Sequence, residues 1–179
     1  KWNINPTLYY QRTTDEISSI TEEQTYIHPI TGQPTEYILS RPFNLGTEDK
    51  YGLDLSYSVS PTSWFRVYGN VNLYRYKSEL TYNNSTIVNE GNNLKAKLTS
   101  AFKINRTTNL QLQGDFRGGH RDYNTEKKNT YALNIGISKN IWNNTGTISF
   151  SVQDVFNSRK RRTYTDSDTF TRYNEMQMM

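Results

Sequence analysis

From Trp64 onward, apolar or small residues take the odd positions (Phe65, Val67, Gly69, Val71, Leu73) and polar or amphipathic ones the even positions (Arg66, Tyr68, Asn70, Asn72, Tyr74). Successive side chains of a strand point to opposite faces, so a period of two predicts a β-strand with one apolar face. The alternation recurs at Leu53, Leu55, Tyr57 and Val59, at Leu94, Ala96, Leu98, Ser100 and Phe102, and at Leu110, Leu112, Gly114 and Phe116. It returns at Tyr131, Leu133, Ile135 and Ile137 and at Ile148, Phe150 and Val152. The opening segment has Trp2, Ile4, Leu8 and Tyr10 on one face, weakened by Pro6, which cannot donate to a ladder. Seven strands are predicted.

Within these segments the ionised side chains Asp54, Arg66, Lys95, Lys97, Lys103, Asp115 and Arg117 all fall on the polar face. Facing lipid near the bilayer midplane, Arg or Lys would cost about 2 to 4 kcal/mol, which accounts for such a clean apolar face. A sandwich core imposes the same rule, so this pattern leaves both readings open.

Connection lengths separate them. They are long around Ser18 to Arg41, short at Pro61-Thr62-Ser63, long around Lys77 to Asn93 and short at Asn105-Arg106-Thr107-Thr108. They are then long around Gly118 to Asn129, short at Asn143-Asn144-Thr145 and long again after Asn157. An up-and-down meander through a membrane places alternate connections at opposite ends, with short turns on the periplasmic side and long loops outside. The aromatic residues suit the same orientation: Trp2, Trp64 and Trp142 lie near short turns, while Tyr10, Tyr51, Phe116, Tyr131 and Phe156 lie toward the long connections. Two such girdles are what two membrane interfaces select.

Composition adds exclusions. Hydrophobic residues make up 34% and the mean hydropathy is -0.86, poor for a soluble core, yet aromatics reach 13% with 14 tyrosines, too many for a disordered chain. With no cysteine there is no disulfide framework and no thiolate nucleophile. No apolar run reaches the length of a membrane helix, and no composition shift divides the chain, so residues 1–179 are read as one unit. The net charge of +4 is too weak and too dispersed to nominate nucleic acid, the run Arg159-Lys160-Arg161-Arg162 apart.

Three stretches carry a family resemblance: Trp2-Asn3-Ile4-Asn5-Pro6-Thr7-Leu8-Tyr9-Tyr10, Tyr51-Gly52-Leu53-Asp54-Leu55, and Gly146 through Asn157 with its Asp154-Val155-Phe156-Asn157 ending. They resemble the C-terminal barrel portion of TonB-dependent outer-membrane receptors, particularly the outer membrane protein beta-barrel type common in Bacteroidetes. The resemblance covers nearly the whole chain. It implies a barrel of about 22 strands, plugged by a separate N-terminal domain, that imports a scarce nutrient. Its energy would come from an inner-membrane complex, and a surface lipoprotein would be a possible partner. The chain is expected to be a fragment, about a third of such a wall, contacting its own plug and remaining strands; the pattern itself includes no plug domain and no closing strand.

The all-β antiparallel transmembrane barrel is therefore the first expectation, and its function transport rather than catalysis. Two alternatives stand beside it. One is a soluble or cell-surface β-sandwich that binds glycan or protein through long loops. The other is a small stand-alone outer-membrane barrel, closed by an eighth strand around Thr169 to Met179.

Candidate lumen-facing residues are Arg66, Asn70, Asn72, Tyr74, Lys95, Lys97, Gln113, Asp115 and Arg117, and candidate outer-loop contacts are Tyr26, His28, Tyr37 and Tyr123. Cations outnumber acids on the inner face, which favours an anionic ligand, and loop tyrosines could stack on sugars or large cofactors as substrates. The Arg159 to Arg162 run would neighbour lipopolysaccharide phosphates. His28 and His120 lie in different connections without spaced partners and read as surface residues, so no catalytic site is expected. Asp166 and Asp168 lack the glycine and terminal glutamate of a calcium loop and read as a solvated turn, so no metal or cofactor is expected.

Overall fold

The computed structural model describes residues 1–179 apart from Tyr123, Asp168 and Met179, and describes Leu45 by its backbone alone. The described residues form strands joined by turns. In chain order these are β1 (Trp2–Ile27), β2 (Pro34–Val59), β3 (Phe65–Tyr82), β4 (Ser85–Lys103), β5 (Thr108–Arg117) and β6 (His120–Arg121). There follow β7 (Thr125–Lys127), β8 (Thr130–Ile141), β9 (Gly146–Val152), β10 (Lys160–Asp166) and β11 (Thr171–Gln177). All pairings are antiparallel.

Seven strands make one sheet in the order β1-β2-β3-β4-β5-β8-β9, the up-and-down meander of the predicted segments. Register carries the sequence alternation straight across it. Trp2, Val59, Val67, Ser100, Leu112, Ile135 and Val152 form one transverse row, and Leu8, Leu53, Leu73 and Leu94 another. Neither row is covered: Trp2 is 74% exposed and Val152 40% in the first, Leu8 83% and Leu73 51% in the second, and Leu98 (44%) and Phe150 (66%) of neighbouring rows are as open. In a soluble sandwich these side chains would pack face to face with a second sheet. The sandwich alternative is thereby overturned, since the second sheet of this molecule lies against the polar face instead.

That second sheet has four strands in the order β11-β10-β7-β6. Its order repeats that of the main sheet: β6 follows β5, β7 precedes β8 and β10 follows β9. Hydrogen bonds carry the pairing through the gaps, from Lys128 N to Arg162 O (2.9 Å), from Val155 N to Leu133 O (2.8 Å) and from Ser158 Oγ to Tyr131 O (3.0 Å), and Thr130 Oγ1 of β8 donates to the Lys160 carbonyl of β10 (3.5 Å). The small sheet is thus the far end of the same strands, bent over.

Two features make the bend. At Gly118-Gly119 a side chain on Gly118 would overlap the Asn93 amide, and one on Gly119 the Lys127 carbonyl, so only glycine passes. In Asp154-Val155-Phe156-Asn157, both Asp154 (φ 47°) and Asn157 (φ 53°) take the left-handed conformation that Asp and Asn tolerate best. The Asp154 carboxylate then accepts from Ser158 N (2.9 Å), Ser158 Oγ (3.0 Å) and Arg159 N (2.9 Å). The backbone groups freed by breaking the ladder are satisfied on the spot.

Two expectations need correction. The connections expected as long loops are largely strand: β1 and β2 run on as a hairpin to a turn at residues 28–33, and β3 and β4 meet at the two-residue turn Asn83-Asn84. Both asparagines have positive φ (48° and 62°), the type I′ geometry that matches strand twist. Second, the eighth strand around Thr169 to Met179 is not a wall strand: Thr171–Gln177 pairs with Lys160–Asp166 in the small sheet, and Met179 lies outside the described residues. Among the described residues β1 pairs only with β2, and β9 only with β8, so the sheet is open and no stand-alone eight-stranded closure forms.

Candidate functional site

The face opposite the apolar rows is a continuous polar wall. All nine residues expected to face a lumen sit on it, in rows set by the register: Asp54, Asn72, Lys95 and Arg117 in one, and Ser56, Asn70, Lys97 and Asp115 in the next. Asp54 accepts from both Asn70 and Asn72, and Asn72 Oδ1 in turn accepts from Tyr9 Oη at 3.2 Å. Gln113 donates to Asp115 (2.9 Å), and Arg66 donates to Ser58 Oγ through Nε (3.1 Å) and Nη2 (2.9 Å) while lying 5.1 Å over the Tyr68 ring. Lys95 Nζ lies 5.2 Å over Tyr74. A wall whose side chains hydrogen-bond sideways keeps most of its polar groups satisfied while leaving room above them; the buried Asn93 Oδ1 is without a partner among the described residues.

The small sheet folds over one end of this wall. The His120 ring packs at a tilt against Tyr76 of β3 with 4.5 Å between ring centroids, Arg121 N donates to Tyr76 Oη (3.4 Å), and Asn124 Nδ2 reaches the Thr21 carbonyl of β1 (2.9 Å). Tyr74, Tyr76 and Leu80 are buried beneath it, and Thr165 from above is 7% exposed. The buried interior therefore lies on the polar side of the sheet, and it includes Glu48, which is 2% exposed and paired with Lys50.

Electrostatics at the fold-over centre on Asp122. Burial alone would raise its carboxyl, but hydrogen bonds from His120 (3.0 Å) and Lys127 (2.6 Å) overcome that and hold it at about 2. Burial and the Glu48 carboxylate push the neighbouring Glu16 up. On the other side of the small sheet, Lys160, Tyr173 and Arg162 all donate to Glu175, which they hold at about 2.

Sequence reasoning left His120 as a surface residue. The structure makes it the ring that meets Tyr76, and Asp122, two residues on, is the partner that reading missed. Two of the outer-loop tyrosines are also strand residues, Tyr26 at the end of β1 and Tyr37 in β2 with its hydroxyl on Gln24 Oε1 (3.1 Å). His28 accepts from the backbone of Ile30 and Thr31 (3.3 Å each) and so caps its own turn. Tyr123 and Asp168 lie outside the described residues.

The aromatic residues at the sheet's two ends are exposed on the apolar side: Trp2 74%, Trp64 53% and Trp142 77% at one end, Tyr10 64%, Tyr51 50% and Tyr131 53% at the other, where Phe156 in the kink is also 70% exposed. Tyr10 pairs with Tyr51 and Phe116 with Tyr131 in the register. From Trp2 to Tyr10 a strand rises about 27 Å, the scale of the roughly 25 Å apolar band of outer-membrane barrels. Above this band the outward face turns polar, with Arg12 near Asp49 (3.9 Å) and Arg75 on Glu90 (3.2 Å).

The profile of the outer membrane protein beta-barrel family matches residues 1–179. This chain belongs to that family. Comparison with curated proteins and with solved structures yields no match. Membership places the chain in the bacterial outer membrane, and it makes the bare apolar face of this beta-barrel family member the lipid-facing one.

Proposed function

We propose that this chain is a wall segment of a TonB-dependent outer-membrane transporter that takes up a nutrient. The observation that carries the reading is the folding of the strand ends over the polar face. A passive pore needs an open polar lumen, whereas here the extensions of β5, β8 and β9 turn inward and bury Tyr74, Tyr76 and Leu80 under a second sheet. Strand ends folded over a hydrogen-bonded polar wall suit a receptor that holds its solute and opens only when energy is delivered from the inner membrane. The residues on the apolar face contact outer-membrane lipid; those on the polar face contact the plug and the passing solute. The exposed tip of the β1–β2 hairpin, with Ile27 and Ile30, is available to a surface lipoprotein.

The test is solute uptake by cells that carry the intact protein, by cells deleted for it, and by cells that lack the TonB energy-coupling protein. Loss of uptake of the same solute in both mutants supports the reading. Uptake that needs the protein but survives without energy coupling would replace the transporter with a passive channel.

A further inference from the structure

The run Arg159-Lys160-Arg161-Arg162 is divided by strand alternation. Lys160 and Arg162 point to the side of β10 that carries Glu175, and each donates to it at 2.9 Å. Arg159 and Arg161 share the opposite side with Thr163 and Thr165, the side turned toward the polar wall, where Thr165 is buried and meets Thr125 (3.0 Å between hydroxyls). There they face a cavity of about 530 Å³ whose floor is Gln113, Asp115 and Arg117 of β5 with Thr130 of β8.

Charge in this cavity is unbalanced. Among the described residues its one carboxylate is Asp115, already accepting from Gln113. The rim lysines are neutralised, Lys127 by Asp122 (2.6 Å) and Lys128 by Glu126 (2.7 Å). None of the guanidinium groups of Arg117, Arg159 and Arg161 forms an ion pair within 4 Å among the described residues; Arg159 gives Asp154 its backbone N and a longer-range attraction to its carboxylate. Three like charges gathered in a half-enclosed cleft repel one another, and a low-dielectric wall behind them strengthens both that repulsion and the attraction for a counter-charge.

We propose that this cavity binds a solute carrying at least two carboxylate or phosphate groups, with Arg117, Arg159 and Arg161 as its anchors. The guanidinium fork matches the paired oxygens of either group, and one such group engages one fork fully, so three forks take more than one anionic group. The volume is that of a small-molecule site. The inference rests on the transporter reading, since it makes the polar face the solute path. Lipopolysaccharide phosphates offer the same chemistry, but the apolar lipid-facing rows are on the other side of the sheet, so the site takes a solute from the lumen.

The intact protein, purified in detergent and stripped of lipopolysaccharide, is titrated by calorimetry with citrate and with inorganic pyrophosphate, and again with lipopolysaccharide added back. Arg117→Gln and Arg161→Gln are each expected to weaken binding of the better probe about tenfold or more. Arg161→Lys should lose part of it, and Lys160→Gln, on the outward side, should leave it unchanged. Heat-modifiable migration on gels shows that each variant is folded. Absence of binding by both probes, equal binding by the folded Arg→Gln variants, or competition by lipopolysaccharide would overturn the proposal. Energy-dependent uptake of a neutral solute by the same variants would leave the transporter reading standing while removing this site.

Discussion

The ring of Tyr76, on a wall strand, and the ring of His120, on the folded-over sheet, lie 4.5 Å apart between centroids, and through that contact the two sheets of the molecule become one unit. Asp122 locks it from behind by accepting from His120 and Lys127. The fold-over is therefore a polar and aromatic contact. It can be loosened by changing charge.

Acid should release it. The Asp122 carboxyl is held at about 2, below its ordinary value near 3.8, so its contribution is fully present above pH 4 and lost as pH falls toward 2. The shift corresponds to about 2 kcal/mol. Hydrogen-exchange protection of residues 118–127 should stay level from pH 7 to 4 and fall below it, after correction for intrinsic exchange. In Asp122→Asn the protection should already be reduced at pH 7. Protection independent of both acid and the substitution would show that the contact does not depend on this carboxylate.

Asp154→Ala should open the second bend. Three donors, Ser158 N, Ser158 Oγ and Arg159 N, lose their acceptor, while the left-handed backbone at residue 154 becomes harder to hold. Limited proteolysis of folded protein should cut between Asp154 and Lys160 several times faster than in the parent. Unchanged cleavage would mean that the kink is held by the strand ladders alone.

Gly119→Ala should disturb the first bend, because the added carbon meets the Lys127 carbonyl, a backbone atom with little freedom to move. The expected result is lower exchange protection in β6 and β7 with the wall strands unaffected. Loss of protection throughout β5 would place the glycine's role in wall assembly instead.

A charge on the lipid side should be costlier than the same charge on the polar side. Leu98 and Lys97 are neighbours on β4 with opposite facings, Leu98 opposite Gly69 and Lys97 opposite Asn70. Leu98→Arg should destabilise the barrel by about 2 to 4 kcal/mol, read as a lower denaturant midpoint for refolding into bilayers. Asn70→Arg should change it little. Equal effects would argue that both faces meet the same environment.

The wall was legible in the sequence because lipid on one side and a polar interior on the other force a period of two, as in Phe65 through Tyr74. Beyond the girdle the outward face is wet and the covered inner face mixes polar with apolar groups, as Thr21 and Glu48 do with Ile20 and Leu80, so stretches such as Glu22-Glu23-Gln24-Thr25 lose the contrast and extended strand looked like loop. The bend was not legible either. The Asp154–Asn157 kink resets the facing of everything after it, so alternation could not tell which arginines of Arg159 to Arg162 turn inward. The Tyr76–His120 contact joins residues 44 apart, beyond the reach of any local pattern.

The central claim is that the apolar face meets lipid. Residues 1–179 contain no cysteine, so, with any cysteine elsewhere in the intact protein replaced by serine, a single spin label can be placed at Leu98→Cys and, as its counterpart, at Lys97→Cys in the protein reconstituted in bilayers. Relaxation by oxygen, which concentrates in lipid, is compared with relaxation by a water-soluble nickel chelate. The label at 98 should respond to oxygen and not to the chelate, and the label at 97 should not share that lipid signature. A label at 98 that is relaxed by the chelate, or by neither reagent, would contradict the account.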